Sequence, residues 1–324
     1  MIPAYEVVGV GDADVDMYLD VPHIPAHDEK VLATRAAIYP GGMVANFLVA
    51  LRRLGTSCCF HGPVGDDEFG RIVRADLADH GVALEGLVIK PGGRTYYCVV
   101  LLDGSGEKSL VVAPTDCSFP GPEDIDPAII AQARHLHTTG TRPDTALLAA
   151  RVAKQHDLDV SLDLEPAELA DAGQLHELLG LTNLLFVNHR ALERLTSPGL
   201  STPDAVATLL AHGPQIVCIT AGAAGAWVGT RDGVRHIPAF QVVTADTTGA
   251  GDTFAAAFVY GHRAGWSPVA SARFAAAAAA VAVGHRGGHG GVPNREEVQS
   301  FLAARPILRT LREESSEGAW RILP

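Results

Sequence analysis

The segment DTTGAGDTFAAAF, residues 246–258, sets two aspartates and two glycines directly ahead of an alanine-rich apolar run. A helix start leaves backbone N–H groups without partners and carries partial positive charge, so small residues there let an anion reach the amides. Gly249, Ala250 and Gly251 suit that role. Asp252 beside them could take a proton from a hydroxyl attacking the same anion, as phosphoryl transfer requires. Read alone, the string equally suits an acid capping a helix, worth about 0.5–2 kcal/mol, behind glycines that merely turn the chain.

A second acidic set lies near the N-terminus. GDADVD places Asp12, Asp14 and Asp16 at period two, which on extended backbone points all three to one face. Carboxylates so arranged accept hydrogen bonds from the adjacent hydroxyls of a polyol; a solvated acidic loop is the plainer alternative. Gly41 and Gly42 let backbone approach a ligand, and Asn46, one turn into the following helix and off its apolar stripe, can donate to and accept from hydroxyls. Arg142, in GTRPD, could grip an anionic substituent such as a carboxylate or sulfonate in bidentate fashion, although an arginine in such a loop is more commonly solvated. The fourteen histidines show no metal-ligand spacing, and none is assigned to a metal.

Short β-branched runs alternating with amphipathic stretches must position these residues, and that alternation argues for repeated βα units on a largely parallel sheet. YEVVGV reads as the first strand. GGMVANFLVALRRLG follows as a helix with Val44, Phe47, Leu48, Leu51 and Leu54 on one stripe and Gly55 at its end. QVVTA, residues 241–245, reads as a strand leading into the 246–252 turn, with a helix from Thr253. Residues 17–39 and 94–113 break the rhythm and read as extended segments of a small separate β element, the second a hairpin around Asp103-Gly104-Ser105-Gly106. Residues 306–324 lack periodicity and read as a loosely packed tail.

The formal net charge of −12 disfavours nucleic acid and anionic membranes as partners, since both need a basic surface. It leaves phosphate recognition open, because a few helix-start amides act locally. Five cysteines without C-x-x-C spacing read as reduced, buried thiols. The N-terminus does not read as a signal peptide, and the longest apolar run, Phe274 to Val283, is about half a membrane span, so the reading is cytoplasmic.

DTTGAGDTF resembles the C-terminal signature of the ribokinase-like (PfkB) carbohydrate kinases, and YPGGMVANFLVALRRLG is similar to that family's N-terminal glycine-pair signature. GPVGDDEFG, ITAGAAGAW and HRGGHGGVP continue the likeness in matching order over about residues 6 to 303. The resemblance implies a ribokinase-like α/β fold: a central, mostly parallel sheet flanked by helices, with a small β-sheet lid. The core would comprise residues 1–16, 40–93 and 114–305, and the lid 17–39 and 94–113. It also implies an ATP-dependent sugar kinase in which Asp252 is the general base and Gly249, Ala250 and Gly251 form the anion hole. Asp14, Asp16, Gly41, Gly42 and Asn46 would contact the sugar, and Asn188, Thr220, Gly222 and Gly225 the ATP–Mg²⁺ side. Asp246 and Thr248, with the GHRGGHGG loop, resemble the monovalent cation (K⁺) site of many relatives.

Two positions depart from the pattern. Met43 stands where typical ribose kinases have a lysine, which weakens a ribose assignment. Ala191 stands where the N-x-x-E element has its glutamate, so that either Glu193 substitutes or the metal is held by waters and ATP oxygens. A lid that excludes water would have a hydrophobic face free to pair with a second subunit, giving a homodimer. Other readings weighed are a nucleoside kinase of the same fold, a non-catalytic sugar sensor, and an NAD-binding oxidoreductase. The last fails because Asp14 occupies the third glycine position of G-x-G-x-x-G and prolines follow where a helix should run.

Overall fold

The computed structural model describes residues 4–104, 108–165, 172–197 and 199–305. The expected tail at 306–324 and the tip of the expected hairpin at 105–107 lie outside the described residues. The strands are β1 (Val7–Val10), β2 (Asp14–Asp20), β3 (Arg35–Gly41), β4 (Cys58–Gly65), β5 (Ala83–Lys90), β6 (Tyr97–Leu102), β7 (Lys108–Ala113), β8 (His135–Thr139), β9 (Asp159–Leu164), β10 (Leu184–Asn188), β11 (Ile216–Thr220), β12 (Ala226–Thr230) and β13 (Gly233–Ile237). The helices are α1 (Met43–Arg53), α2 (Glu68–Asp79), α3 (Pro127–Ile130), α4 (Pro143–Gln155), α5 (Ala172–Leu181), α6 (His189–Leu195), α7 (Thr202–Ala211), α8 (Ala250–Arg263), α9 (Pro268–Ala282) and α10 (Arg295–Ala303). Among the described residues no helix is long and apolar enough to cross a membrane.

The larger sheet runs β13-β12-β11-β10-β9-β8-β1-β4-β5, parallel except for β12 and β13 at one edge. Both faces of its central strands are covered, so β1, β10 and β11 are largely apolar, while β8 and β9 bury His135, His137 and Ser161 among apolar neighbours. Val7, Leu184, Phe186, Ile216 and Cys218 pack into one core with α1, α8 and α9. Their neighbours Val8, Leu185, Val187, Val217 and Ile219 pack into the other, with α4 and α7. Ligands in such open sheets gather at the carboxyl ends of the strands. Here those ends deliver Asp12 after β1, Glu165 after β9, and Asn188 and Thr220 at the last positions of β10 and β11.

The apparent dinucleotide fingerprint after β1 is a packing feature. A Cβ at Gly9 would lie 2.7 Å from Val44 Cγ1, so Gly9 and its neighbour Gly11 let α1 rest against the strand. The alanine-rich run works the same way one layer out. Ala255, Ala256 and Ala257 of α8 and Ala275, Ala277 and Ala278 of α9 are all buried, and such short side chains let the helices approach closely.

The separate sheet has the order β3-β2-β6-β7, with β2 and β6 parallel and the other pairs antiparallel. β2 enters it at Asp14, so Asp14 and Asp16 belong to the small sheet although the expected boundary was residue 17. Its edge strand β7 leaves Leu110, Val111 and Val112 each about half exposed. The expected strand at 241–245 does not form. Val243 is 90% exposed, and the N–H groups of Ala245 and Asp246 donate to Val283 O at the end of α9 instead of to a strand.

Candidate active site

α8 begins at Ala250, three residues earlier than expected, because Gly249 in the left-handed region (φ +72°) caps it and no bulky side chain resists the turn. Asp252 therefore lies inside the first turn and is 9% exposed. A Cβ at Gly251 would meet nothing, so the helix start faces open space on that side. Asn46 Nδ2 of α1 donates to Asp252 Oδ2 at 2.7 Å. Burial pushes the Asp252 carboxyl up to about 8; the bond from Asn46 opposes this, while the charges of Glu165, Asp12 and Asp16 reinforce it.

Asp14 and Asp16 share one face of β2, as their spacing requires, and β3 brings Gly41 opposite Asp14. A Cβ at Gly41 would lie 2.6 Å from Asp14 Oδ1 and 2.8 Å from Asp16 Oδ2, so only glycine fits there. Asp14 Oδ1 and Asn46 Oδ1 are buried without a hydrogen-bond partner among the described residues. An unpaired buried acceptor is costly, and Asn46 carries one of these two while its Nδ2 is bonded to Asp252. Burial raises Asp14 well above the carboxylate range, with the charges of Asp16 and Asp12 adding to it. Burial likewise raises Asp16, to about 6. Gly42, at φ +98°, is turned so tightly that a Cβ would lie 2.6 Å from Ala13 Cα.

Asp12 does not share that face, which corrects the expected three-acid row. It precedes β2, and its carboxylate accepts from Met43 N (2.9 Å) and Val44 N (3.3 Å), satisfying the first amides of α1. Met43, where a lysine was expected, thus contributes its backbone to this cap.

Asp246 and Thr248 are brought together as expected, among protein donors. Asp246 Oδ1 accepts from Thr248 N (2.9 Å) and Oγ1 (2.8 Å), and Oδ2 from Tyr18 OH (2.6 Å) and Gly287 N (3.0 Å). Lys108 Nζ of β7 donates to Thr248 Oγ1 at 2.9 Å. These donors hold the Asp246 carboxyl below the usual range despite its burial. Tyr18, Lys108 and Glu165 were not singled out from the sequence. Tyr18 continues the period-two face of Asp14 and Asp16, and Glu165 follows a parallel strand, so both had a signal; Lys108 had none.

Thr220 ends β11, and Gly222 (φ +54°) and Gly225 (φ +94°) make the turn into β12, as expected. Asn188 Oδ1 accepts from Ala191 N at 2.8 Å, capping α6. Ala191 is fully buried, while Glu193 is largely exposed and faces His189 at 3.5 Å. No carboxylate of α6 therefore replaces the missing glutamate. The Arg142 guanidinium bonds Asp144 (3.2 and 3.4 Å) at the start of α4, an exposed pair, and Arg142 lines a small cavity with Val10, Gly11 and Thr139 at the ends of β1 and β8.

The large mixed sheet flanked by helices and the small separate sheet make up a ribokinase-type fold. The family model described as pfkB family carbohydrate kinase matches residues 5–295, and the chain belongs to that family. It is 32% identical to the ATP-dependent ribose-1-phosphate kinase of Halopiger xanaduensis, covering 92% of this chain and 98% of the relative. Its fold is similar to a putative ribokinase II from E. coli in complex with ATP and Mg²⁺, with a TM-score of 0.82 and 25% identity over 93% and 99% of the two chains. It is also similar to Arabidopsis thaliana ribokinase complexed with ribose and ATP, with a TM-score of 0.79 and 27% identity over 93% and 99%. The chain is thus an ATP-binding transferase of the ribokinase-like carbohydrate and nucleoside kinases.

Proposed function

We propose that this kinase transfers the γ-phosphoryl group of ATP to a hydroxymethyl oxygen of a sugar, with Asp252 as the general base. The observation that carries this reading is the Asp252 carboxylate, buried in the first turn of α8 and bonded to Asn46, beside the unpaired acceptors of Asp14 and Asn46.

Asp14, Asp16 and Asn46 accept from and donate to the sugar hydroxyls and hold the hydroxymethyl group toward Asp252. Asp252 takes the hydroxyl proton as the sugar oxygen bonds to the γ-phosphorus and the bond to the departing ADP oxygen breaks. A carboxyl raised to about 8 is an effective acceptor near neutral pH. The amides of Gly249, Ala250 and Gly251 hold the charge that develops on the transferring group. Asn188, Thr220, Gly222 and Gly225 border the nucleotide. Mg²⁺ bound with ATP would neutralise phosphate charge; Asn188 would border it, and α6 offers it no carboxylate in place of Ala191.

The small sheet acts as a lid, and the apolar edge residues Leu110, Val111 and Val112 suit cover by a second copy of the chain. Five buried, unpaired cysteines and an ATP requirement suit the cytoplasm. Arg142 meets Asp144 through Nε and Nη2, so an anionic substituent would be met through its Nη1 side.

The test is a coupled ADP-release screen over neutral, acidic, sulfonated and phosphorylated sugars, ribose 1-phosphate among them, and nucleosides. Sugar-dependent ADP release is expected. Release with nucleosides alone would replace this reading with the nucleoside kinase, and binding of sugar without turnover would replace it with a sensor.

A further inference from the structure

We infer that Lys108 is a built-in monovalent cation: its ammonium does at Asp246 and Thr248 what K⁺ would do, so the enzyme needs no K⁺. This rests on the kinase reading for its functional meaning but not for its geometry. A K⁺ ion is held by oxygens whose lone pairs point at it. The Asp246 side chain is only 2% exposed, and its two oxygens offer about four lone-pair sites. Thr248 N, Thr248 Oγ1, Tyr18 OH and Gly287 N all lie within hydrogen-bond distance of them, and the single Tyr18 proton is shared with Thr248 Oγ1 at 2.7 Å. K⁺ directly on Asp246 would have to displace these donors, and the position beside Thr248 Oγ1 that an ion could take instead is held by Lys108 Nζ.

A buried carboxylate still needs a counter-charge. Lys108 supplies one, with Nζ 3.7 Å from Asp246 Oδ1 and 2.9 Å from Thr248 Oγ1. The other nearby cation, Arg286, is held by Asp20 at 2.7 and 2.8 Å. An ammonium and K⁺ are close in size and equal in charge, so the substitution conserves the electrostatics of the turn. Thr248 directly precedes Gly249, whose left-handed geometry starts α8. Lys108 is the first residue of β7, so the small sheet braces the turn that aims the anion-hole amides. Lys108 is a positioning residue acting through Thr248 and Asp246.

The experiment compares the wild type with Lys108→Ala and Lys108→Met in KCl and in N-methylglucamine chloride, each at about 0.1 M ionic strength. Thermal unfolding and ADP release with the best acceptor are the readouts. The wild type is expected to show the same Tm and rate in both salts. Lys108→Ala is expected to lose roughly ten- to hundredfold in kcat. It should recover part of that in K⁺ or NH₄⁺, and its Tm should rise in those salts by about 2–4 °C. Lys108→Met keeps the apolar stem and should lose rate without recovery, because the stem blocks the ion. A wild-type Tm that rises in KCl, with the rise abolished in Asp246→Asn, would overturn the inference. So would a Lys108→Ala enzyme with wild-type rate, or one that no cation restores. If no acceptor supports turnover the kinase reading fails, while the unfolding measurements still decide whether K⁺ or Lys108 occupies the site.

Discussion

Asp246 and Asp252 stand six residues apart on one turn, both almost fully buried, and their carboxyls are driven in opposite directions. Asp246 receives four hydrogen bonds and a nearby ammonium and is held below its usual range. Asp252 receives one side-chain bond, from Asn46, faces three other acids and is pushed up to about 8. Burial is common to both, so the donors decide the outcome. A carboxylate surrounded by N–H and O–H groups is a structural anchor; one left nearly bare suits the base proposed for Asp252.

The comparison can be broken by substitutions at either acid. Asp252→Asn is expected to lower kcat by about 10³-fold with unchanged folding, as removal of a general base does; ADP release measures this, and a rate within about tenfold of wild type contradicts the base assignment. Asp246→Asn should lower Tm by roughly 5–10 °C, because it leaves Lys108 without its charged partner, and should lower kcat by no more than the roughly ten- to hundredfold expected of Lys108→Ala. Asp16→Ala should chiefly raise the sugar KM, by roughly ten- to a hundredfold for one lost charged hydrogen bond. Gly41→Ala should do likewise through the contact of its methyl with Asp14 and Asp16. An unchanged KM in both would move the sugar site elsewhere.

The smallest expected effect is on stability against pH. The folded Asp252 carboxyl titrates near 8 and an unfolded one near 3.8, so between those values the folded state alone keeps the proton and wild-type stability falls as pH rises. Asp252→Asn carries no such penalty, so its Tm should match the wild type near pH 4 and exceed it by about 2–4 °C above pH 8. Parallel Tm curves would show that the carboxyl is not raised.

The sequence carried the local parts of this site well. Period two on β2 put Asp14 and Asp16 on one face, and the glycine string marked the start of α8, because both are properties of a few consecutive residues. It failed where partners are distant. Asp12 was grouped with its neighbours, yet the amides it satisfies are 31 and 32 residues away. Lys108 meets Thr248 across 140 residues, and Asn46 meets Asp252 across 206. QVVTA has a strand-forming composition, but its next N–H groups are taken by the end of α9 and no neighbouring strand pairs with it.

The pH dependence of kcat/KM for the wild type, with the acceptor the screen identifies, reports the free enzyme's essential base most directly. The expected profile rises about tenfold per pH unit and levels off near 8, with that limb lost in Asp252→Asn. A wild-type profile flat from roughly pH 5 to 9 would show that no raised carboxyl accepts the sugar proton.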